Sequence, residues 1–169
     1  MKIRNIKIKI REIKLGDYEW IKKLFKRRWG GEFIVTRGKI HKINELKGYI
    51  AEVDKKRVGL ITYKIRGKEL EIVSLDSILQ GKGIGTRLIK KVISLAKKKK
   101  LTRIWLITTN DNLKALGFWQ RRKFVLVKVY PNALKISRKL KPNIPLIGAE
   151  GIPLRDEIEL EMKLRNQTN

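Results

Sequence analysis

The amino-acid sequence predicts an α/β (α+β) protein of one domain, a mixed, mostly antiparallel sheet flanked by helices. Three observations lead there. The runs Tyr49–Val53, Val58–Ile65 and Glu69–Leu75 are short and rich in β-branched residues, and polar breaks separate them, as in antiparallel strands joined by hairpins. A long amphipathic segment and then another apolar run follow, the pattern of a strand–helix–strand crossover. The chain has 169 residues, 42% of them apolar, enough for one core, and no repeat or Ser/Gly/Pro-rich linker divides it.

In chain order, Ile6, Ile8 and Ile10 alternate with Lys7, Lys9 and Arg11, a period of two that predicts a first strand. Gly16-Asp17 opens a helix with Asp17 as its cap, and Trp20, Ile21, Leu24 and Phe25 recur at helical spacing until Trp29-Gly30-Gly31. The three strands then begin at Gly48, with turns at Asp54-Lys55-Lys56 and Arg66-Gly67-Lys68. After Gly81, Gly83 and Gly85 a helix runs to about Lys98, with Leu88, Ile89, Val92, Ile93, Leu95 and Ala96 as its apolar face. Lys97–Lys100 close it, where cations suit the negative end of the helix dipole. Ile104–Thr108 reads as a buried strand, Leu113–Arg122 as a short helix and Phe124–Tyr130 as a strand. The core therefore spans about 7–130. Residues 131–169 read as a proline-bearing loop and one last strand near Ile158–Leu164, whose alternating Glu157, Glu159 and Glu161 read as a solvent-facing side, the alternative being an acidic patch that would offset a cationic acceptor.

Composition narrows the chemistry. There is no cysteine, which removes disulfides, thiolate metal sites and a cysteine nucleophile. The one histidine, His41, has no motif around it and reads as a surface or half-buried structural residue, so no metal site is expected. No apolar run approaches the ~18 residues of a membrane span. Met1-Lys2-Ile3-Arg4 lacks the apolar core of a secretion signal, so a cytoplasmic protein without membrane contact is expected. The formal charge is +26, a field that draws in anions such as nucleic acid or a phosphorylated cofactor.

The stretch Gln80-Gly81-Lys82-Gly83-Ile84-Gly85-Thr86 lies between a strand and a helix. Glycines let a backbone turn sharply and present successive N–H groups, and the helix that follows adds the positive end of its dipole. A phosphate would be held there; a purely structural turn is the plain alternative. The G-x-x-x-x-G-K-[S/T] nucleotide loop is absent, and G-x-G-x-x-G fails by one residue, at Thr86.

Gln80-x-x-Gly83-x-Gly85 resembles the Q/R-x-x-G-x-G/A pyrophosphate loop of the GNAT (N-acetyltransferase) superfamily. Downstream, Asn112-x-x-Ala115-x-x-Phe118-Trp119-Gln120-x-x-x-Phe124 resembles that superfamily's Asn-x-x-Ala-x-x-Phe-Tyr stretch and the Gly-Phe pair after it. The resemblance covers about Lys7 to Tyr130, and the tail is similar to a small prokaryotic branch. It implies an acetyl-CoA-dependent N-acetyltransferase that moves an acetyl group onto an amine by direct attack. It also implies that the backbone of Gly81, Lys82, Gly83, Ile84, Gly85 and Thr86, with Gln80, grips the CoA pyrophosphate. Val73, Ser74 and Leu75 would splay from Ile107 and Thr108 to admit the pantetheine arm. The Leu75 N–H would face the thioester oxygen, and Asn112 would bond the pantetheine.

Two residues depart from the family pattern. Trp119 stands where the family often has a tyrosine that protonates the leaving thiolate, and an indole N–H can donate a hydrogen bond but not its proton. Tyr130 is a substitute acid. Lys123 stands where glycine is usual. Base candidates are Glu71, Asp76 and Asp111, each of which reads more readily as a salt-bridge partner among so many lysines. Trp29-Gly30-Gly31 and Glu32-Phe33 are candidates for the acceptor side. The family often forms homodimers. The alternative function is a basic nucleic-acid- or ribosome-associated binding protein on a GNAT scaffold with weak or lost catalysis; the even spread of Lys and Arg disfavours nucleic acid as a partner.

Overall fold

A computed structural model describes residues 6–165, so the reading of Met1–Arg4 lies outside the described residues. Strand β1 (Ile8–Glu12) leads to helix α1 (Tyr18–Trp29) and a small hairpin of β2 (Phe33–Thr36) and β3 (Lys39–Lys42). Strands β4 (Lys47–Val53), β5 (Lys56–Arg66) and β6 (Glu69–Ser77) form a meander. Helix α2 (Ile84–Lys98) crosses to β7 (Arg103–Thr109), and α3 (Leu113–Gln120), β8 (Val125–Tyr130), α4 (Ala133–Leu140) and β9 (Glu157–Lys163) complete the chain.

The main sheet has the order β1-β4-β5-β6-β7-β9-β8. Every neighbouring pair is antiparallel except β6 and β7. A parallel pair needs a crossover, and α2 supplies it. Two hydrophobic cores result, one on each face of the sheet. Leu88, Ile89, Val92 and Ala96 of α2 pack with Ile61, Leu70, Ile72, Ile104 and Leu106 on one face. On the other, Ile21, Leu24 and Phe25 of α1 pack with Ile50, Leu60, Val73 and Ile34 of the hairpin.

The structure departs from the sequence expectations in five places. Asp17 stands at the helix N-cap but makes no side-chain cap there. It is buried and accepts instead from Arg11, Arg57 and the Lys14 N–H, and the Arg11 bond holds it well below the usual carboxylate range. The β2–β3 hairpin was not expected; its two-residue turn, Arg37-Gly38, carries positive φ at both positions. Helix α4 was not expected either; Ala133, Leu134, Ser137 and Lys141 are buried at helical spacing. The last strand is no solvent-facing tail. β9 lies between β7 and β8, and Glu157, Glu159 and Glu161 are buried on the face that carries α1 and the hairpin. His41, finally, is 1% exposed, on the inward side of the hairpin rather than at the surface.

Candidate active site

The site begins where the sheet comes apart. β6 and β7 pair over Glu69–Ile72 and Arg103–Leu106, and the ladder then stops. The cause is a bulge in β6. Thr62 of β5 lies opposite Ser74 and Tyr63 opposite Ile72, which leaves Val73 as an extra residue. Such a residue bends and twists its strand. Beyond it Val73, Ser74 and Leu75 face Ile107 and Thr108 across an opening. The Ile78 N–H donates to Val58 O of β5 at 2.8 Å. Successive strand N–H groups point to opposite sides, so the Leu75 N–H is turned away from β5 and into the opening.

On the α2 face the opening widens into a cavity of about 530 Å³. Gly83 caps α2 at φ 71°, a left-handed position that an L side chain would strain, and no side chain caps the helix in its place. The first N–H groups of α2, on Ile84, Gly85 and Thr86, have no partner within the helix and carry its positive dipole. Gly85 is needed for a different reason. A Cβ there would lie 3.2 Å from Cζ of Phe118, whose ring walls the cavity. Arg122 stacks over that ring at 3.5 Å and donates to Thr86 Oγ1 at 2.6 Å, which places a guanidinium beside the loop. Open backbone donors, a helix dipole and an arginine suit a pyrophosphate, so the cradle fits an elongated anionic cofactor.

On the α1 face a second cavity of about 330 Å³ lies under the hairpin and the segment after α4. Trp29, Val73, Ile107, Thr108 and Asn112 line both cavities, so the two meet at the split. Lys141 ties the roof down. Its buried Nζ donates to Trp29 O and to Phe33 O, and burial lowers its pKa. Asn143 Nδ2 adds a bond to Gly30 O at 2.7 Å.

Of the residues singled out in the sequence, Val73, Ser74, Leu75, Gln80, Gly81, Gly83, Ile84, Gly85, Thr86, Asn112 and Trp119 all line the first cavity. Lys82 does not; it is exposed on the outer side of the loop. Asn112 also caps α3, its Oδ1 accepting from the Ala115 N–H at 3.1 Å, which leaves its amide N–H₂ as a donor. Trp119 is 5% exposed and packs edge-on against Phe118 and Phe124.

Glu71 and Asp76 are buried, and burial raises the pKa of both, but neither lines either cavity. Glu71 Oε1 lies 3.7 Å from His41 Nε2 beneath the hairpin. Asp76 accepts from the Trp29 indole at 3.2 Å and so orients a residue shared by both cavities. Asp111 accepts from the Ala149 N–H and from Thr109. Tyr130 donates to Glu159, which also binds Arg103, and it lines neither cavity.

The carboxylate that does line the second cavity is Glu157, which the sequence offered only as part of an acidic patch on the last strand and not as a base. It is 1% exposed, and burial raises its pKa against the opposing bond that Oε2 accepts from the Arg37 N–H at 2.8 Å. The alternation of Glu157, Glu159 and Glu161 with Ile158, Leu160 and Met162 was visible in the sequence. What was not visible is that the charged side is covered. Arg122 was missed as well, within the basic run that follows α3.

Residues 14–124 match the family model of the acetyltransferase (GNAT) family. The uncharacterized protein YxbD of Bacillus subtilis is 42% identical over 142 residues, which covers 83% of this chain and 89% of that protein. Two solved structures share the fold. A Bacillus subtilis acetyltransferase in complex with CoA superposes with a TM-score of 0.68 at 20% identity, over 95% of this chain and 100% of that one. A GNAT family acetyltransferase from Elizabethkingia anophelis with acetyl-CoA bound gives 0.68 at 23% identity, over 93% and 98%. Among the described residues no helix is long and apolar enough to cross a membrane.

Proposed function

The chain belongs to the acetyltransferase (GNAT) family, and we propose that it transfers the acetyl group of acetyl-CoA directly to an amine acceptor. The observation that carries this reading is the split between β6 and β7, with a phosphate cradle at one mouth and a separate, carboxylate-bearing cavity at the other. Two substrates can approach one point from opposite faces of the sheet. The absence of cysteine agrees with direct transfer, and the solved relatives that hold CoA or acetyl-CoA agree with the cofactor.

Acetyl-CoA, when bound, supplies an activated acyl carbon on a thiol leaving group. The chain's own residues do the rest. The N–H groups of Gly81–Thr86 and the Arg122 guanidinium hold the pyrophosphate. Val73–Leu75 offer the backbone along which the pantetheine lies, and the Asn112 amide donates to it. The Leu75 N–H stabilises negative charge that develops on the acyl oxygen. Phe118 and Trp119 shield the thioester from water, and Trp119 orients the sulfur without protonating it. A thiol of ordinary pKa near 8.5 leaves with little help from an acid.

Calorimetric titration with acetyl-CoA, at salt high enough to suppress nonspecific attraction to a protein of charge +26, tests the reading. Saturable one-to-one binding that a Gly83→Glu variant loses is the expected result. No binding, or binding that salt erases equally in both proteins, would reduce the loop to a structural turn. Turnover can then be followed by thiol release, to which this cysteine-free chain contributes no background.

A further inference from the structure

We propose that the cavity on the α1 face selects a compact monoamine with an apolar body, and that Glu157 holds its ammonium group and accepts its proton. This rests on the acetyltransfer reading above and specifies the acceptor for the same site.

Size comes first. At about 330 Å³ the cavity sits at the small end of ligand pockets, which run from roughly 300 to 1,000 Å³. Its roof is tied down. Lys141 and Asn143 bridge from the end of α4 to Trp29, Gly30 and Phe33, which fastens the segment after α4 over the cavity. Ile34, Val35, Ile107, Leu134, Ile144 and Leu154 supply the walls, so the ligand body that fits is apolar.

Charge comes second. Among the described residues the lining contains one carboxylate, Glu157, and two cations. Lys141 spends its Nζ on the two carbonyls, and Arg28 stands exposed at the rim. One buried carboxylate is a receptor for one ammonium; a second positive charge on the ligand would meet Arg28. Glu157 Oε2 already accepts from the Arg37 N–H, and Oε1 accepts no hydrogen bond from a described residue. The other charged or titratable groups facing Glu157 are the Arg37 side chain from the hairpin turn and Tyr130, its pairing partner on β8.

Position comes third. Glu157 is paired with Thr109, the residue after Thr108 on the edge of the split. An ammonium bound to Glu157 gives it one proton. The freed lone pair forms a C–N bond to the acetyl carbonyl carbon, and the C–S bond breaks with its electron pair on sulfur. The second proton lost from nitrogen neutralises the thiolate through water. The products are the amide and the thiol, and Glu157 returns its proton to solvent.

The test is thiol release from acetyl-CoA with three probes, 2-phenylethylamine, spermidine and a hexapeptide with a free N-terminus. The expected result is a kcat/KM for 2-phenylethylamine at least tenfold above the other two. Glu157→Gln keeps an acceptor for the Arg37 N–H. It should lower that kcat/KM about a hundredfold, the lower end of a general base's contribution. It should also leave the acetyl-CoA Kd within twofold and make the residual rate climb about tenfold per pH unit, as free amine replaces ammonium. Preference for spermidine or the peptide, turnover of none of the three with acetyl-CoA bound, or an unchanged pH profile in Glu157→Gln would each overturn the proposal. So would that pH signature appearing in Glu71→Gln instead. Failure of acetyl-CoA to bind the wild-type protein removes the acetyltransfer reading itself, and this inference with it.

Discussion

The two mouths of the split are built from different kinds of sequence information. On the α2 face the cradle is nearly continuous in the chain: a strand end, six residues of loop and the first turn of α2, closed by Phe118 of α3 and Arg122 just after it. On the α1 face the cavity is assembled from distant pieces. Lys141 reaches Phe33 across 108 positions, and the Arg37 N–H reaches Glu157 across 120. Backbone groups dominate the first wall and side chains the second. A site that binds through its own main chain can be written in one short motif. A site that depends on side chains brought from both ends of the chain changes with every segment that contributes to it. The same scaffold can thus keep one ligand and vary the other.

If the two mouths are as separable as this contrast suggests, damage to one should spare the other. The largest effect is expected from Gly83→Glu. It strains the left-handed cap by about 1 kcal/mol and puts an anion in the phosphate cradle. Acetyl-CoA affinity should fall about a thousandfold (~4 kcal/mol) by calorimetry, with the thermal midpoint lowered by only a few degrees.

His41 gives a pH test of the other side. Burial, then Lys64, Arg66 and Lys39, lower its pKa from 6.5 to about 4. The unfolded chain therefore binds the proton more readily than the native one. The stabilisation is complete above pH ~6.5 and is lost as pH falls toward 4, up to ~3 kcal/mol. Urea midpoints of wild type and His41→Gln at pH 7 and pH 4.5 measure it, and the variant should show the shallower decline.

Lys141→Ala removes the roof tie and leaves Trp29 O and Phe33 O without their donor. It should cost about 2 kcal/mol in urea unfolding and raise the KM for the amine, with acetyl-CoA binding held within twofold. The smallest effect belongs to Arg122→Gln, which takes a cation from beside the loop. About fivefold weaker acetyl-CoA binding (~1 kcal/mol) is expected, with no change in the amine preference. An Arg122 variant that altered the amine preference, or a Lys141 variant that weakened acetyl-CoA binding, would show that the two mouths are coupled.

The same contrast explains what the sequence made legible. The meander, α2, β7, α3 and β8 announce themselves by periodicity and turn residues, because those signals act within each segment whatever it later packs against. The glycine loop is legible for the same reason. The hairpin Phe33–Lys42 offered only an Arg-Gly turn between two four-residue strands, a weak signal. Helix α4 is eight residues long and ends beside Pro142, so it reads as loop. The misreading of Glu157, Glu159 and Glu161 has a physical source. Period-two glutamates mean solvent unless something covers them, and the covers here are a hairpin more than 100 residues earlier and Arg103, which binds both Glu159 and Glu161. His41 is buried for the converse reason, because it sits on the inward side of that hairpin and packs over Glu71 of β6.

The bulge at Val73 has a further consequence. By parting β6 from β7 it creates two free strand edges inside the molecule rather than at its rim, along Val73–Ser77 and Ile107–Thr109. Edge amides that point into a wet gap exchange with deuterium far faster than ladder amides a residue or two away. In the free protein the Leu75 amide should therefore label early while that of Ile72 stays protected, and a ligand lying along the gap should act as the missing strand and close the difference. The sheet would then carry its own spectroscopic record of occupancy, readable without any assay of turnover.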